Sequence, residues 1–435
     1  MENIKPAPKQ QSRSTIISII ILGLMFFTFG FISWVNAILI PYFKIACELT
    51  NFQSYLVAFA FYISYLVMSM PSSYLLNKVG YKNGIVIGFW ILALGALIFI
   101  PAAYGRTYGI FLIGLFTLGT GLAILQTVAN LYITLIGDKE RAAQRISMMG
   151  ICNKGAGILA PIAFSWAVLR PTDQDLFLKL PSLGDIERAL ILDELILRVV
   201  HPYAVLGLVL FFIGLAIKFS PLVEITVHRS AGRQPLKRGG LLHYPHLVLG
   251  AIAIFLHVGT QVVAIDTVIG YAGTMGLTLL EAKNLPSYTL TATIVGYILG
   301  IILIPRVLKQ TYMLRICSLI GLILSLLVCL AYGEVTWMSR HLDISIWFLI
   351  FIGLPNALIW AGIWPLALAG LGDYSKQGSA LLIMGLCGNA IIPLIYGWIA
   401  DVSDEKTAYW IMVPCFLYIV YYAFWGSKLR SWKIK

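Results

Sequence analysis

Two side-chain amides, Gln126 and Asn130, stand one helical turn apart in a stretch, Gly119 to Gly137, that is otherwise soluble in lipid. Hydrocarbon offers no hydrogen-bond partners, so amides at such depth persist where they face a bundle interior, a water-filled passage or a bound polar molecule. The i, i+4 spacing aims both at one helix face. A plainer use of the pair is an amide hydrogen bond between neighbouring helices. Further polar side chains sit in other apolar stretches: Trp34 and Asn36; Asn153 and Lys154; His257, Gln261 and Asp266; Asn356, Trp360 and Trp364; Asn389. Amides and indoles dominate, which suits a neutral polyhydroxylated solute whose hydroxyls pair with amides and whose C–H face packs on a tryptophan ring.

Asn356, Trp360 and Trp364 recur every four residues, so they line about 12 Å of one helix face. That strip could stack a sugar, or the tryptophans could serve as an interfacial belt or as bundle packing. Lys154 lies nine residues beyond Arg145, about 14 Å along a helix and too deep for easy snorkelling. It should face a wet cavity or a cluster of carbonyls and amides. Asp266 is the one acid within an apolar span. A lone intramembrane carboxylate is a candidate for proton or cation coupling, and its alternative is a helix-terminal acid already in water, because Gly270 and Gly273 follow it. His257 and Gln261 share a helix face, whereas Asp266 is rotated about 140° from Gln261. His257, with no carboxylate on its own face, is expected to be packed or hydrogen-bonded rather than titrating.

These residues need elements to hold them. The chain has 435 residues, 59% hydrophobic and 11% charged, against about a quarter charged in soluble domains. It reads as an all-α membrane protein. Spans of about 20 apolar residues cross a bilayer, and twelve are expected, near Thr15 to Phe43, Phe52 to Leu76, Asn83 to Tyr104, Tyr108 to Ile136, Arg145 to Leu169, Pro202 to Phe219, Pro245 to Met275, Tyr288 to Val307, Leu314 to Tyr332, Ile344 to Leu371, Gly378 to Ala400 and Thr407 to Trp425. The basic connector after the sixth divides residues 1–219, a six-helix bundle, from residues 244–435, a second one, with 220–243 as linker. Similar basic turns, Asn77 to Asn83 and Pro305 to Tyr312, follow the second span of each half, the pattern of a transporter built from repeats with its site between them. Gly119, Gly155, Gly157 and Gly296 are expected where helices approach closely. Asp185 to Val200, with Ile186, Leu190, Leu192 and Leu195, reads as an amphipathic helix on the membrane surface.

The formal charge of +12 is explained by topology. Of the 31 Lys and Arg, 21 fall on the side of the N-terminal tail and 9 on the other, with Lys154 alone inside a span. Both termini are therefore expected in the cytoplasm, and nucleic-acid binding loses its support. The first apolar run has no small-residue cleavage site and reads as a retained span. The six cysteines are scattered singly without CxxC spacing, so neither a disulfide framework nor a metal site is expected.

Longer motifs sharpen the reading. Asn36 with Ile38-Leu39-Ile40-Pro41, Leu49-Thr50-Asn51-Phe52-Gln53, Pro101-Ala102-Ala103, Leu125-Gln126-Thr127-Val128-Ala129-Asn130, Val258-Gly259-Thr260-Gln261, and Leu371-Gly372 with Gly378-Ser379 occur in order along nearly the whole chain. By these the chain resembles the major facilitator superfamily and, within it, the fucose, galactose and glucose proton-symporter family. The superfamily's loop motif, Ser73 to Lys82, is degenerate here, with Ser73 and Asn77 where glycine and aspartate are usual. The resemblance implies two pseudo-symmetric bundles of six helices, alternating access, and a sugar held near the midplane. It carries over Asn36, Gln126, Asn130, Asn153 and Gln261 as matched positions. It also implies two membrane-embedded acids, which fall at Ala37 and Gln126. Neither replacement binds a proton reversibly near neutral pH.

The expected function is import of a neutral monosaccharide across the bacterial cytoplasmic (inner) membrane by a single copy of the chain, with no resident cofactor and no covalent chemistry. Substrate contacts are expected from Asn36, Gln126, Asn130, Asn153, Lys154, Gln261, Asn356 and Trp360. Coupling to a co-transported proton or other cation is expected through Asp266, with an uncoupled uniporter or a sodium symporter as alternatives. A sugar-binding receptor and an exporter of amphipathic compounds are the rivals from other classes.

Overall fold

In lipid a backbone must satisfy its own N–H and C=O groups, and a helix does so within one segment. The structure, a computed structural model, describes residues 8–135, 142–220, 240–303, 309–337, 340–371 and 375–432, and twelve helical spans long and apolar enough to cross a membrane run through them. They are Ile20–Ala46, Asn51–Leu76, Tyr81–Tyr104, Tyr108–Ala129, Met148–Val168, Asp185–Phe219, Pro245–Asp266, Leu279–Leu303, Thr311–Leu330, Ser345–Leu368, Gly378–Val402 and Glu405–Lys428, numbered one to twelve below. With an even number of crossings, both chain ends lie at one end of the bundle; the opposite end is called the far end.

Packing respects the division into halves. Span one lies on span five, span four on spans two and three, and span six on span three. In the second half span seven packs on spans ten, eleven and twelve, span eight on span ten, and span nine on span twelve. Among the described residues the halves meet chiefly where span two lies against span eleven and span five against span eight, with a lighter contact of span one on span seven. Most of the expected linker, residues 221–239, lies outside the described residues, as do residues 304–308 of the second basic turn.

Spans one and seven are among those interrupted close to their polar residues. Span one is helical to Trp34 and starts again at Asn36, with Val35 between. Pro41, which can donate no backbone hydrogen bond, lies in the second piece. Span seven is helical over Pro245–Asp266, pauses at Thr267 and continues over Val268–Thr274. The break expected at Gly270 and Gly273 thus falls immediately after Asp266 instead. Thr267 stitches it by donating its hydroxyl to the Val263 carbonyl at 2.7 Å and meeting the Tyr409 hydroxyl at 2.6 Å.

One expectation needs correction. The amphipathic segment forms a helix over Asp185–Leu197, but Leu192 and Leu195 are buried in the protein while Ile186 and Leu190 are exposed. It docks on span one, where the Tyr42 hydroxyl donates to the Leu195 carbonyl. The all-α reading holds, with one small antiparallel hairpin, Glu334–Trp337 with Arg340–Asp343, in the connection between spans nine and ten.

Candidate functional site

Spans one, five and seven converge on Lys154. A Cβ on Gly30 would collide with the carbonyl of Asn153, and one on Gly157 would collide with the Trp34 ring. Glycine at these two places lets spans one and five touch, as helices do in membranes where close packing drives association. The Trp34 indole N–H then donates to Asn153 Oδ1 at 3.4 Å, and the Asn153 amide donates to the Phe26 carbonyl at 3.3 Å. This locks Asn153 as a spacer between the two helices.

The same approach sets Lys154 over Trp34, its Nζ 4.1 Å from the ring centroid. From there Nζ donates to Gln261 Oε1 of span seven at 3.3 Å. The residue is 6% exposed. A buried ammonium needs compensation, and here it receives an indole face from its own half and an amide oxygen from the other half. His257, one turn from Gln261 on the same helix face, is also buried; its Nδ1 finds no hydrogen-bond partner among the described residues, and it lies within electrostatic reach of Lys154. Lys154, His257 and Gln261 form a polar cluster spanning the two halves.

No hydrogen bond or ring contact joins the remaining expected residues to this cluster among the described residues. Gln126 is half-buried on span four; the side chain of Asn130 lies outside the described ones. Asn356 is fully buried on span ten with both amide atoms unpartnered among the described residues. Trp360 and Trp364 are half-buried and stack on each other, with centroids 5.2 Å apart and planes 29° from parallel. Asn36 is also fully buried and unpartnered. It lines an apolar cavity of about 410 Å³ between spans one, four, five and six, with Phe31, Leu115, Phe164 and Tyr203 among its neighbours. Unpaired buried amides are rare in folded proteins because each costs roughly 1 to 3 kcal/mol.

Asp266 is 1% exposed, and neither carboxylate oxygen has a hydrogen-bond partner among the described residues. It is thus enclosed, not a helix-end acid in open water. Its surroundings are phenolic, within electrostatic reach of Tyr55 and Tyr62 from span two. No ion pair joins it to Lys154 among the described residues. Of the glycines expected at close approaches, Gly119 abuts the Phe61 carbonyl, Gly157 meets Trp34 and Gly296 abuts the Leu354 carbonyl, whereas Gly155 has open space where its side chain would be.

A second polar cluster at the far end was not foreseen. Thr50 and Gln53 form a capping box at the start of span two, with bonds of 3.2 and 3.0 Å. The next two backbone N–H groups, of Asn51 and Phe52, donate to the Asp401 carboxylate at the end of span eleven, at 2.8 and 2.7 Å. Lys44 reaches Asn51 Oδ1 and stands 3.8 Å from Glu405. Tyr55 meets Tyr396 edge-on beneath them, centroids 5.6 Å apart. The halves are thereby latched together at the far end. The Thr-x-x-Gln signature is visible in sequence, but its partner in span eleven is not.

A model described as the Major Facilitator Superfamily matches residues 22–392. The chain is 33% identical to a glucose/galactose transporter of Brucella abortus, over 94% of this chain and 93% of that one. It is 29% identical to the L-fucose-proton symporter of Escherichia coli K12, over 97% and 95%. Among solved structures it is similar to the transporter FucP in its outward conformation, with a TM-score of 0.72, 26% identity, and coverage of 96% of this chain and 100% of that one. The xylose transporter XylE of E. coli in an inward-open conformation shares the fold, with a TM-score of 0.67 at 14% identity, over 95% of this chain and 96% of that one.

Proposed function

The chain belongs to the major facilitator superfamily and is a multi-pass membrane transporter, not an enzyme; from that premise we propose that it imports a monosaccharide across a bacterial cytoplasmic membrane by alternating access. The carrying observation is the bond from Lys154 to Gln261. It places a buried, hydrogen-bonding surface at the boundary between halves, where transporters of this build hold substrate and where a small tilt makes or breaks contact. Amide hydrogen-bonding capacity at Gln126 and Asn356 and indole faces at Trp34 and Trp360 supply the complement of a sugar. The curated relatives are named for glucose, galactose and fucose.

Coupling is assigned to Asp266. It is buried on the same span as Gln261, its oxygens are unspent on protein donors among the described residues, and an enclosed carboxylate favours taking up a proton or cation over standing charged and alone. The counted Lys and Arg place both termini in the cytoplasm, which puts the far-end latch outside. A uniporter is the second reading, because Ala37 and Gln126 carry no exchangeable proton.

Uptake of a radiolabelled sugar panel into proteoliposomes, with and without an imposed proton or sodium gradient, tests the proposal. Accumulation under one gradient supports coupled import; equilibration without accumulation supports the uniporter. Binding with neither accumulation nor exchange would make the protein a receptor, and protection from heat by aromatic drugs instead of sugars would make it an exporter.

A further inference from the structure

We infer that the sugar carries a carboxylate, and that Lys154 and His257 receive it at the interface between the two halves. The inference rests on the sugar-carrier reading above and deepens it, replacing the neutral solute that amides and indoles alone suggested.

The argument starts from charge. Among Asn36, Gln126, Asn153, Lys154, Gln261, Asn356 and Trp360, Lys154 is the one with a formal charge. It is nine-tenths buried, yet among the described residues no carboxylate stands within ion-pair distance of it. Its partners are one neutral amide oxygen and one indole face. An ammonium has three donors, so that set leaves donor capacity unspent. Burying a cation against neutral groups is costly, and the cost is best recovered by a counter-ion held in the same low-dielectric place.

The second observation is the orphaned nitrogen next to it. His257 Nδ1 is buried without a partner and belongs to the opposite half. A carboxylate has two oxygens. One can take the Lys154 ammonium in place of the Gln261 oxygen, and the other can accept from the His257 ring N–H. Gln261, released by Lys154, then offers both ends of its amide to ring hydroxyls. Such an anion would tie span five to span seven and so favour the closed arrangement of the halves around substrate. A neutral hexose offers hydroxyls to the same groups but leaves the ammonium without a counter-charge.

The test uses the full-length protein in proteoliposomes and a matched pair of probes, glucuronate and glucose, which differ at C6 by a carboxylate in place of a hydroxymethyl group. Counterflow exchange by the wild type should favour glucuronate by at least about tenfold, the scale of one added charge-assisted hydrogen bond. Lys154→Gln should remove that preference, so that whatever exchange survives is no faster for glucuronate than for glucose, and Lys154→Arg should keep it. A cooperative thermal transition shows that Lys154→Gln is folded, and heat protection by each probe reads the preference even where exchange is slowed. Preference for glucose by the wild type, or an undiminished preference for glucuronate in Lys154→Gln, would overturn the inference and leave the carrier reading in place. Exchange of neither probe, nor of any other sugar or sugar acid, would overturn both.

Discussion

Asp401 at the end of span eleven accepts the backbone N–H of Asn51 at the start of span two, 2.8 Å away and 350 residues distant in sequence. A carboxylate at a helix N-terminus satisfies donors that the helix cannot satisfy for itself and complements its dipole. Here the cap comes from the other half, so capping span two and closing the far end are one event. In an alternating-access cycle this bond must break each time that end opens.

Asp401→Ala should therefore shift the protein toward opening at the far end. Loss of an N-cap costs about 0.5 to 2 kcal/mol, which corresponds to a several-fold change in the open fraction. Spin labels placed on spans two and eleven near that end would show a longer distance population in the variant. Asp401→Asn, which keeps one acceptor oxygen, should fall between. Unchanged distances would reduce the contact to a local cap.

Asp266→Asn should abolish uphill uptake yet spare counterflow exchange. The amide fills the same space and cannot exchange a proton near neutral pH, so only steps that need the coupled cation fail. Uphill uptake at wild-type rate in this variant would remove Asp266 from the mechanism.

Gln126→Ala should weaken sugar binding by about 1 to 3 kcal/mol if its amide pairs with the ligand, measured as the shift in half-saturating sugar in a thermal-unfolding titration. Wild-type affinity together with lower unfolding temperature would assign Gln126 to helix packing.

The hairpin between spans nine and ten is tied to the start of span twelve by Lys406, whose Nζ lies 2.6 Å from Asp343 and 2.9 Å from the Ala331 carbonyl. Burial pushes the Asp343 carboxyl up, but hydrogen bonds from Lys406 and Ser345 outweigh it and hold the group below the usual carboxylate range. A depressed carboxylate stabilises the fold above its unfolded pKa, and that contribution fades as pH falls through the folded one. Wild type should thus exceed Asp343→Ala in thermal stability at neutral pH, by about 0.2 to 1 kcal/mol for such a partly exposed pair. The gap should close below pH 4, roughly the ordinary aspartate value. A gap that persists in strong acid would trace to packing of the hairpin.

Where sequence reading succeeded and failed follows a physical line. Span count and type were legible because a helix crossing lipid must be apolar over its whole length, and that requirement is written locally. The far-end helix start has a local signature too, in Thr50 and Gln53, since a capping box closes within four residues, although the expected second span began at Phe52 without it. The surface helix was misplaced for the converse reason. Its pattern of Leu192 and Leu195 demands an apolar neighbour but does not say whether that neighbour is lipid or span one. Asp266 presented the same ambiguity: glycines after it allowed an end in water, and only the fold encloses it.

By itself the sequence determined that this chain spans a membrane twelve times and keeps a short set of amides, indoles and two charges at depth, because hydropathy and helical period are properties of neighbouring residues. Tertiary structure alone decided which of them meet. Lys154 and Gln261 are 107 residues apart, and no local periodicity relates them. Their contact exists because glycines at 30 and 157 bring span one against span five and turn Lys154 toward the other half. The meeting of the two halves, and not the content of either, brings these two side chains together.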